Sequence, residues 1–291
     1  MSCRIAHLVL GYRYPTQLKR LINHLRHPNT TIFIHIDSKS PLKDFDSLIG
    51  NRENIRFLSA RRDVIWGGYS MVQTTIDAFH EIIANHEDFD FINLLSESDY
   101  PLRNATTVHS YLSSNLGKSF MEMRFEGSPW WEEAQQKIRK YHFVNYRLPG
   151  KYLAERIINA ITAERKLPLD MVFTGYSQWM TLSIKHVKHI LSFVNKNPKA
   201  VQFFKHTWGP DEFFFQTILY NSHFREEIIN DNLRYIKWVE GKHSPEILTQ
   251  EDFATLANSG KLYARKFNIE IDGSVLDTID QRLLKQGETR S

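Results

Sequence analysis

Phe89-Asp-Phe-Ile-Asn-Leu-Leu-Ser-Glu-Ser-Asp-Tyr-Pro101 is the stretch on which the fold turns. Phe89 to Leu95 is almost wholly apolar, as expected of a central strand buried on both faces, and it ends abruptly in a polar cluster, Ser96 to Asp99. Short β-rich runs precede it, separated by amphipathic helical patterns. Ile5 to Leu10, Thr31 to Asp37 and Ile55 to Leu58 read as strands. Tyr14 to Leu25, opened by Pro15 and Thr16, reads as a helix, as does Met71 to Ala84, with Val72, Ile76, Phe79 and Ile83 on one face. Alternation of this kind predicts an α/β fold with a mostly parallel central sheet flanked by helices. Ser119 to Phe125 closes the first half.

Residues 127–165 break the alternation with aromatic and basic residues, among them Trp130, Trp131, Lys137, Tyr146 and Arg147, and end on a helical pattern from Tyr152 to Ala163. The stretch reads either as a helical insertion with a solvated basic face or as an acceptor-binding region, since aromatic faces suit sugar rings. Further elements are a strand at Trp179 to Ser183, helices at Lys185 to Val194 and Gln250 to Asn258, and extended runs at Leu233 to Trp238 and Lys261 to Phe267. The expected organisation is one domain over 1–280, with a nucleotide-binding half at 1–125, the insertion at 126–170 and a catalytic half at 171–280. A polar tail, 281–291, is expected to fray.

With 291 residues and 42% hydrophobic content the chain can bury a large core, which excludes disorder as its class. Its net charge of +4 suits an anionic small molecule or a membrane surface; no basic stripe points to nucleic acid. The single cysteine, Cys3, excludes a disulfide framework and a multi-cysteine zinc site, and the thirteen histidines show no metal-ligand spacing. A cytoplasmic location follows as an expectation, compatible with peripheral attachment at the inner membrane face, because no run is long enough for a signal peptide or a membrane span.

In open α/β sheets ligands gather at the carboxyl ends of strands, which singles out Asp37 and the Ser96 to Asp99 cluster. Asp37 reads either as a turn cap or as an acceptor for the base or ribose of a nucleotide. Glu97 and Asp99 read either as oxygen ligands for a divalent metal or as a turn ahead of Tyr100-Pro101. Arg265 and Lys266, adjacent cations in the otherwise apolar Tyr263 to Phe267 run, can neutralise a diphosphate, though both reach one ligand only if the strand bends or ends there. Trp66-Gly67-Gly68 marks a tight backbone passage beside a large ring, and Trp238 is a sugar platform or ordinary core. In Trp208-Gly-Pro-Asp-Glu-Phe-Phe-Phe-Gln-Thr217, Pro210 starts a helix whose first turn carries Asp211 and Glu212; Glu212 is the candidate catalytic base. There is no Gly-Lys-Ser/Thr phosphate loop and no Gly-x-Ser-x-Gly elbow.

These segments, in this order, resemble the core-2/I-branching β-1,6-N-acetylglucosaminyltransferase family, glycosyltransferase family 14, which includes the peptide O-xylosyltransferases. The likeness is carried by His35-Ile-Asp-Ser-Lys39, Ile65-Trp-Gly-Gly68, Asn93 to Pro101, Gly175-Tyr-Ser-Gln-Trp179, Pro210-Asp-Glu-Phe-Phe214, Trp238 with Ser244-Pro245, and Tyr263-Ala-Arg-Lys-Phe267. The resemblance implies a GT-A-type fold and inverting transfer of a GlcNAc- or xylose-like sugar from a UDP-sugar donor to a glycan or glycolipid hydroxyl, without a divalent metal or other cofactor. It implies that Glu212 deprotonates the acceptor and that Arg265 and Lys266 hold the diphosphate. Asp37, Trp66 and Gly67 would line the nucleotide pocket, Ser96 and Asp99 would occupy the place of the usual metal-binding motif, and Gln178, Trp179 and Trp238 would lie near the sugars. Gln178 departs from the acid that xylosyltransferases carry, and the family's additional arginine has a counterpart only around Lys242 and His243. The missing anchor and cysteines lead to the expectation of a bacterial enzyme of surface polysaccharide or lipid-linked glycan synthesis. Two alternatives stand beside it, a silent nucleotide- or glycan-binding module and a metal-dependent transferase using Glu97 and Asp99.

Overall fold

The computed structural model describes residues 2–49, 52–85, 88–239 and 244–285. Along the chain run β1 (Ile5–Gly11), α1 (Pro15–Leu25), β2 (Thr30–Ile36), α2 (Leu42–Asp46), β3 (Ile55–Phe57), α3 (Tyr69–Ala84), β4 (Phe91–Ser96), β5 (Asp99–Pro101), α4 (Ala105–Ser113) and β6 (Ser119–Arg124). Then come α5 (Pro129–Arg139), α6 (Lys151–Ile161), β7 (Gly175–Ser183), α7 (Ile184–Lys196), α8 (Pro198–Lys205), α9 (Phe214–Tyr220), β8 (Ile228–Asn230), β9 (Arg234–Ile236), α10 (Phe253–Asn258), β10 (Tyr263–Arg265) and α11 (Ser274–Ile279). The chain divides into two compact units, one of Met1–Arg61, His86–Gly117 and Leu233–Ser291, the other of Arg62–Asn85 and Lys118–Asn232.

In the first unit β3, β2, β1 and β4 lie side by side in that order, all parallel. Every residue of β2 is buried, as are the first five of β4, which is why both read as continuous apolar runs instead of alternating ones. Helix α1 crosses from β1 to β2. Pro15 opens it without losing a needed N–H, and Leu18, Leu21, Ile22 and Leu25 form the buried stripe. A second sheet orders β5, β10 and β9, with β10 antiparallel to β5 and parallel to β9; its register sets Arg265 directly opposite Asp99.

The second unit sets β6 between antiparallel β7 and parallel β8, with a bulge at Met121/Met123. Rings on α3 and α9 close its core, Tyr69 meeting Phe214 at 5.9 Å and Phe79 meeting Phe215 at 5.8 Å between centroids. The expected α/β class with a mostly parallel sheet flanked by helices is the observed one.

Three expectations need correction. Asp211 and Glu212 do not open an α-helix. They lie in a 3-10 turn, Pro210–Glu212, and α9 begins only at Phe214, because Phe213 leaves the helical region with φ −124°. The strand expected from Trp179 begins four residues earlier, at Gly175. The polar tail is not frayed from residue 281 onward, since helical structure continues through Leu284, whose side chain is buried. Lys242 and His243 lie outside the described residues.

Candidate functional site

Polar groups that sequence reasoning singled out form one cluster in each unit. In the second unit the centre is Glu212, whose side chain is 27% exposed and therefore reachable by a ligand. Its Oε2 accepts from Lys137 Nζ at 3.2 Å, and the same ammonium contacts Glu133 Oε1 at 2.9 Å, one turn earlier on α5. Burial raises the Glu212 pKa while Lys137 pulls it back, the balance lying above the usual carboxylate range. Burial also opposes the charge on Lys137, but Glu212 and Glu133 outweigh it and hold the lysine protonated. Lys137 lies 4.8 Å over the Trp208 ring, and Trp66, 63% exposed, meets Trp208 edge-on at 5.1 Å. The result is a carboxylate beside a cation and two indoles, one of them open to solvent.

The backbone beneath this group depends on glycine. Gly67 has φ +72°, and a Cβ there would lie 3.2 Å from the Trp208 ring. Gly175, the first residue of β7, has no such freedom to explain it; a Cβ would fall 2.1 Å from the Glu212 carbonyl oxygen and 2.8 Å from Phe213 Cα. Both obstacles are main chain and cannot rotate away. Gly175→Ala is therefore expected to destabilise the protein by about 3 kcal/mol or more, read as a lowered Tm in thermal unfolding; an unchanged Tm would show that the β7 contact yields freely. Gln178 and Trp179 follow on the same strand, Gln178 buried with its Nε2 lacking a hydrogen bond among the described residues.

Asp211, neighbour of the candidate base, is buried and its Oδ1 has no partner among the described residues. Burial, then the adjacent Glu212 charge, push its pKa up to about 7. Two carboxylates thus share the turn, and on the more exposed one Lys137 opposes, without cancelling, the rise that burial imposes.

In the first unit Asp99 organises the cluster. Its Oδ2 accepts from Ser96 N at 2.7 Å, from Ser96 Oγ at 2.6 Å and from Arg265 Nη1 at 3.3 Å. Three donors on one oxygen make Asp99 an anchor for the turn after β4 and for the guanidinium opposite it. Arg265 is buried, and burial lowers its pKa against the attraction of Asp99. β10 ends at Arg265, so Lys266 escapes strict strand alternation. Lys266 is half-buried; burial first, then Arg265, lower its pKa. Glu97 is enclosed, and burial raises its pKa to about 7 although the nearby backbone N–H groups of Glu97, Tyr12 and Arg13 oppose the rise; none of them reaches hydrogen-bonding geometry with either carboxylate oxygen. No group of three or more metal-ligating side chains occurs among the described residues.

The structure brings Ser96, Asp99, Arg265 and Lys266 together in one unit and Glu212, Trp66 and Gly67 in the other. Asp37 ends β2 as a turn organiser, its Oδ1 accepting from Lys39 N at 2.8 Å and its Oδ2 facing Lys39 Nζ at 3.2 Å. Trp238, beyond β9, is half-exposed, which excludes the reading as ordinary core. Sequence reasoning missed Gln17, Lys137 and Trp208 as site residues. Gln17 is a buried amide on α1 that donates to the Glu97 carbonyl at 2.6 Å and accepts from Ile269 N at 2.7 Å, and its only signal was a polar residue inside an apolar stripe. Lys137 was hidden among the other basic residues of the insertion.

A family model described as Core-2/I-Branching enzyme matches residues 5–257. Xylosyltransferase 2 of Rattus norvegicus is 28% identical over 306 residues, covering 96% of this chain and 34% of that protein. The beta-glucuronosyltransferase GlcAT14A of Arabidopsis thaliana is 28% identical over 299 residues, covering 98% of this chain and 65% of the relative. The chain thus spans about a third of the length of the xylosyltransferases it matches. The crystal structure of mouse xyloside xylosyltransferase 1, apo form, covers 81% of this chain and 88% of its own, with 13% identity and a TM-score of 0.40, too loose a likeness to carry weight.

Proposed function

We propose, because the chain belongs to the core-2/I-branching enzyme family of glycosyltransferases, that it moves a GlcNAc- or xylose-like sugar from a UDP-sugar to a hydroxyl of a glycan or glycolipid, with inversion and without a divalent metal. The observation that carries the reading is the Glu212 carboxylate, reachable from solvent, paired with Lys137 and flanked by Trp208 and Trp66. Glu212 takes the proton of the acceptor hydroxyl, the oxygen attacks the anomeric carbon, and the bond from that carbon to the β-phosphate oxygen breaks, releasing UDP. Arg265 and Lys266 stabilise the charge that develops on the leaving diphosphate. Asp37, Gly67, Ser96 and Asp99 serve the nucleotide, and Gln178, Trp179 and Trp238 serve the sugars. Support for metal independence comes from Asp99, whose Oδ2 is already engaged by Ser96 and Arg265. Among the described residues no helix is long and apolar enough to cross a membrane.

One observation favours the metal-dependent alternative, namely the two unpartnered oxygens of Glu97. Calorimetric titration of UDP into the protein decides between them. UDP is expected to bind in EDTA, with manganese changing the affinity little. Binding only with manganese would move the diphosphate site to Glu97 and Asp99, and no binding in either buffer would favour a silent fold.

A further inference from the structure

Helix α6 is mounted with its polar side against the protein and its apolar side outward. Amphipathic helices of soluble proteins normally do the reverse. Glu155 and Asn159, on one face, are the anchors. Glu155 Oε2 accepts from Phe143 N at 2.9 Å and its Oε1 lies 3.3 Å from His142 Nδ1. Asn159 accepts from Tyr141 N at 2.8 Å and donates to Tyr141 O at 2.9 Å, so the helix is tied by a two-way amide clasp. No residue of α6 is buried. Tyr152, Leu153, Ile157 and Ile161 are between 52% and 77% exposed, and the last three repeat at intervals of four, one stripe along the outer face.

The unpaired charge on and beside α6 is cationic. Arg156 lies on the outward side of α6, Lys140 precedes the Tyr141 clasp and Lys166 follows the helix; all three are exposed, with no carboxylate partner among the described residues. The outward face itself carries no acid, since Glu155 is turned in and Glu164, beyond the helix, faces Arg139 at 3.7 Å. A second copy laid on this face by two-fold symmetry would set cation against cation, a like-charge juxtaposition that disfavours pairing. An anionic lipid surface satisfies both features at once, taking the apolar stripe among its acyl chains and the cations among its headgroups.

We propose that α6 is an interfacial anchor that docks the protein on membranes carrying anionic lipid. The inference stands on the second unit's own geometry and does not depend on the transferase reading. Its test is co-sedimentation of the whole protein with vesicles of phosphatidylcholine alone and of phosphatidylcholine mixed with phosphatidylglycerol. Binding is expected to the mixed vesicles, weakening as salt is raised, with little to the neutral ones. Leu153→Asp with Ile157→Asp should lower the partition coefficient by about tenfold or more, and Arg156→Glu with Lys166→Glu by about tenfold, while the melting curve stays at the wild-type position because all four side chains are exposed. Equal sedimentation of wild type and both variants, or none of the wild type with the mixed vesicles, would overturn the proposal. So would a dimer in light scattering that the Leu153→Asp, Ile157→Asp variant dissolves, since that outcome gives the face to a second copy of the chain.

Discussion

Glu212→Gln should reduce sugar transfer by about 10²- to 10⁴-fold while leaving UDP affinity within a few fold of wild type. The substitution keeps the size of the side chain and its ability to accept from Lys137, so the turn and the Trp208 ring have no reason to move. What it removes is the ability to take a proton at the moment the acceptor oxygen attacks. UDP release from a donor, with and without acceptor, measures the first quantity and calorimetry the second. Retained turnover would remove Glu212 from the role of base. Loss of UDP binding together with turnover would mean that the substitution had disturbed more than the proton transfer.

The second large effect is expected on the other cluster. Arg265→Ala combined with Lys266→Ala should weaken UDP binding by about 10-fold or more, in line with two charge-assisted contacts. Arg265 needs care because it is paired with buried Asp99. Removing one partner of such a pair strands the other, at about 3–5 kcal/mol, so the double variant should also melt earlier. Lys266→Ala separates the two effects. Its side chain is half-buried and lies beyond the end of β10, and its loss should lower UDP affinity several-fold with little change in Tm. Unchanged affinity in the double variant, measured where it is still folded, would count against the diphosphate role.

Much of the fold was legible because its strands are buried on both faces and announce themselves as apolar runs. β2 and β4 matched the expected runs to within about a residue or two, as is normal where periodicity is strong. The 3-10 turn at Glu212 was not legible, because Pro210 and the aromatic run after it fit a helix start equally well; what shifts the helix is the backbone at Phe213. The strand start at Gly175 was hidden for a related reason. A glycine before polar residues reads locally as a turn, and only the Glu212 carbonyl, 37 positions away in the chain, explains it as a place where nothing larger fits. Of the candidate residues, Arg265 and Asp99 were visible as cations and acids but not as partners, since the register of β5 and β10 is a long-range fact. Lys137 and Gln17 were missed because their meaning lies in what they touch.

The close approach at Gly175 has a consequence for how the candidate base can respond to a ligand. The Gly209 N–H is bonded to the Gly67 carbonyl at 2.8 Å, Glu212 N to the Gly209 carbonyl at 3.1 Å, and the Glu212 carbonyl is pressed against β7. Thr217, on the helix that follows, exchanges hydrogen bonds with Thr174, donating at 2.8 Å and accepting at 3.3 Å. A main chain clamped this way has no hinge. Adjustment to an incoming hydroxyl is left to the rotamers of Glu212, Lys137 and Trp66, a motion of nanoseconds and not the opening and closing of a loop.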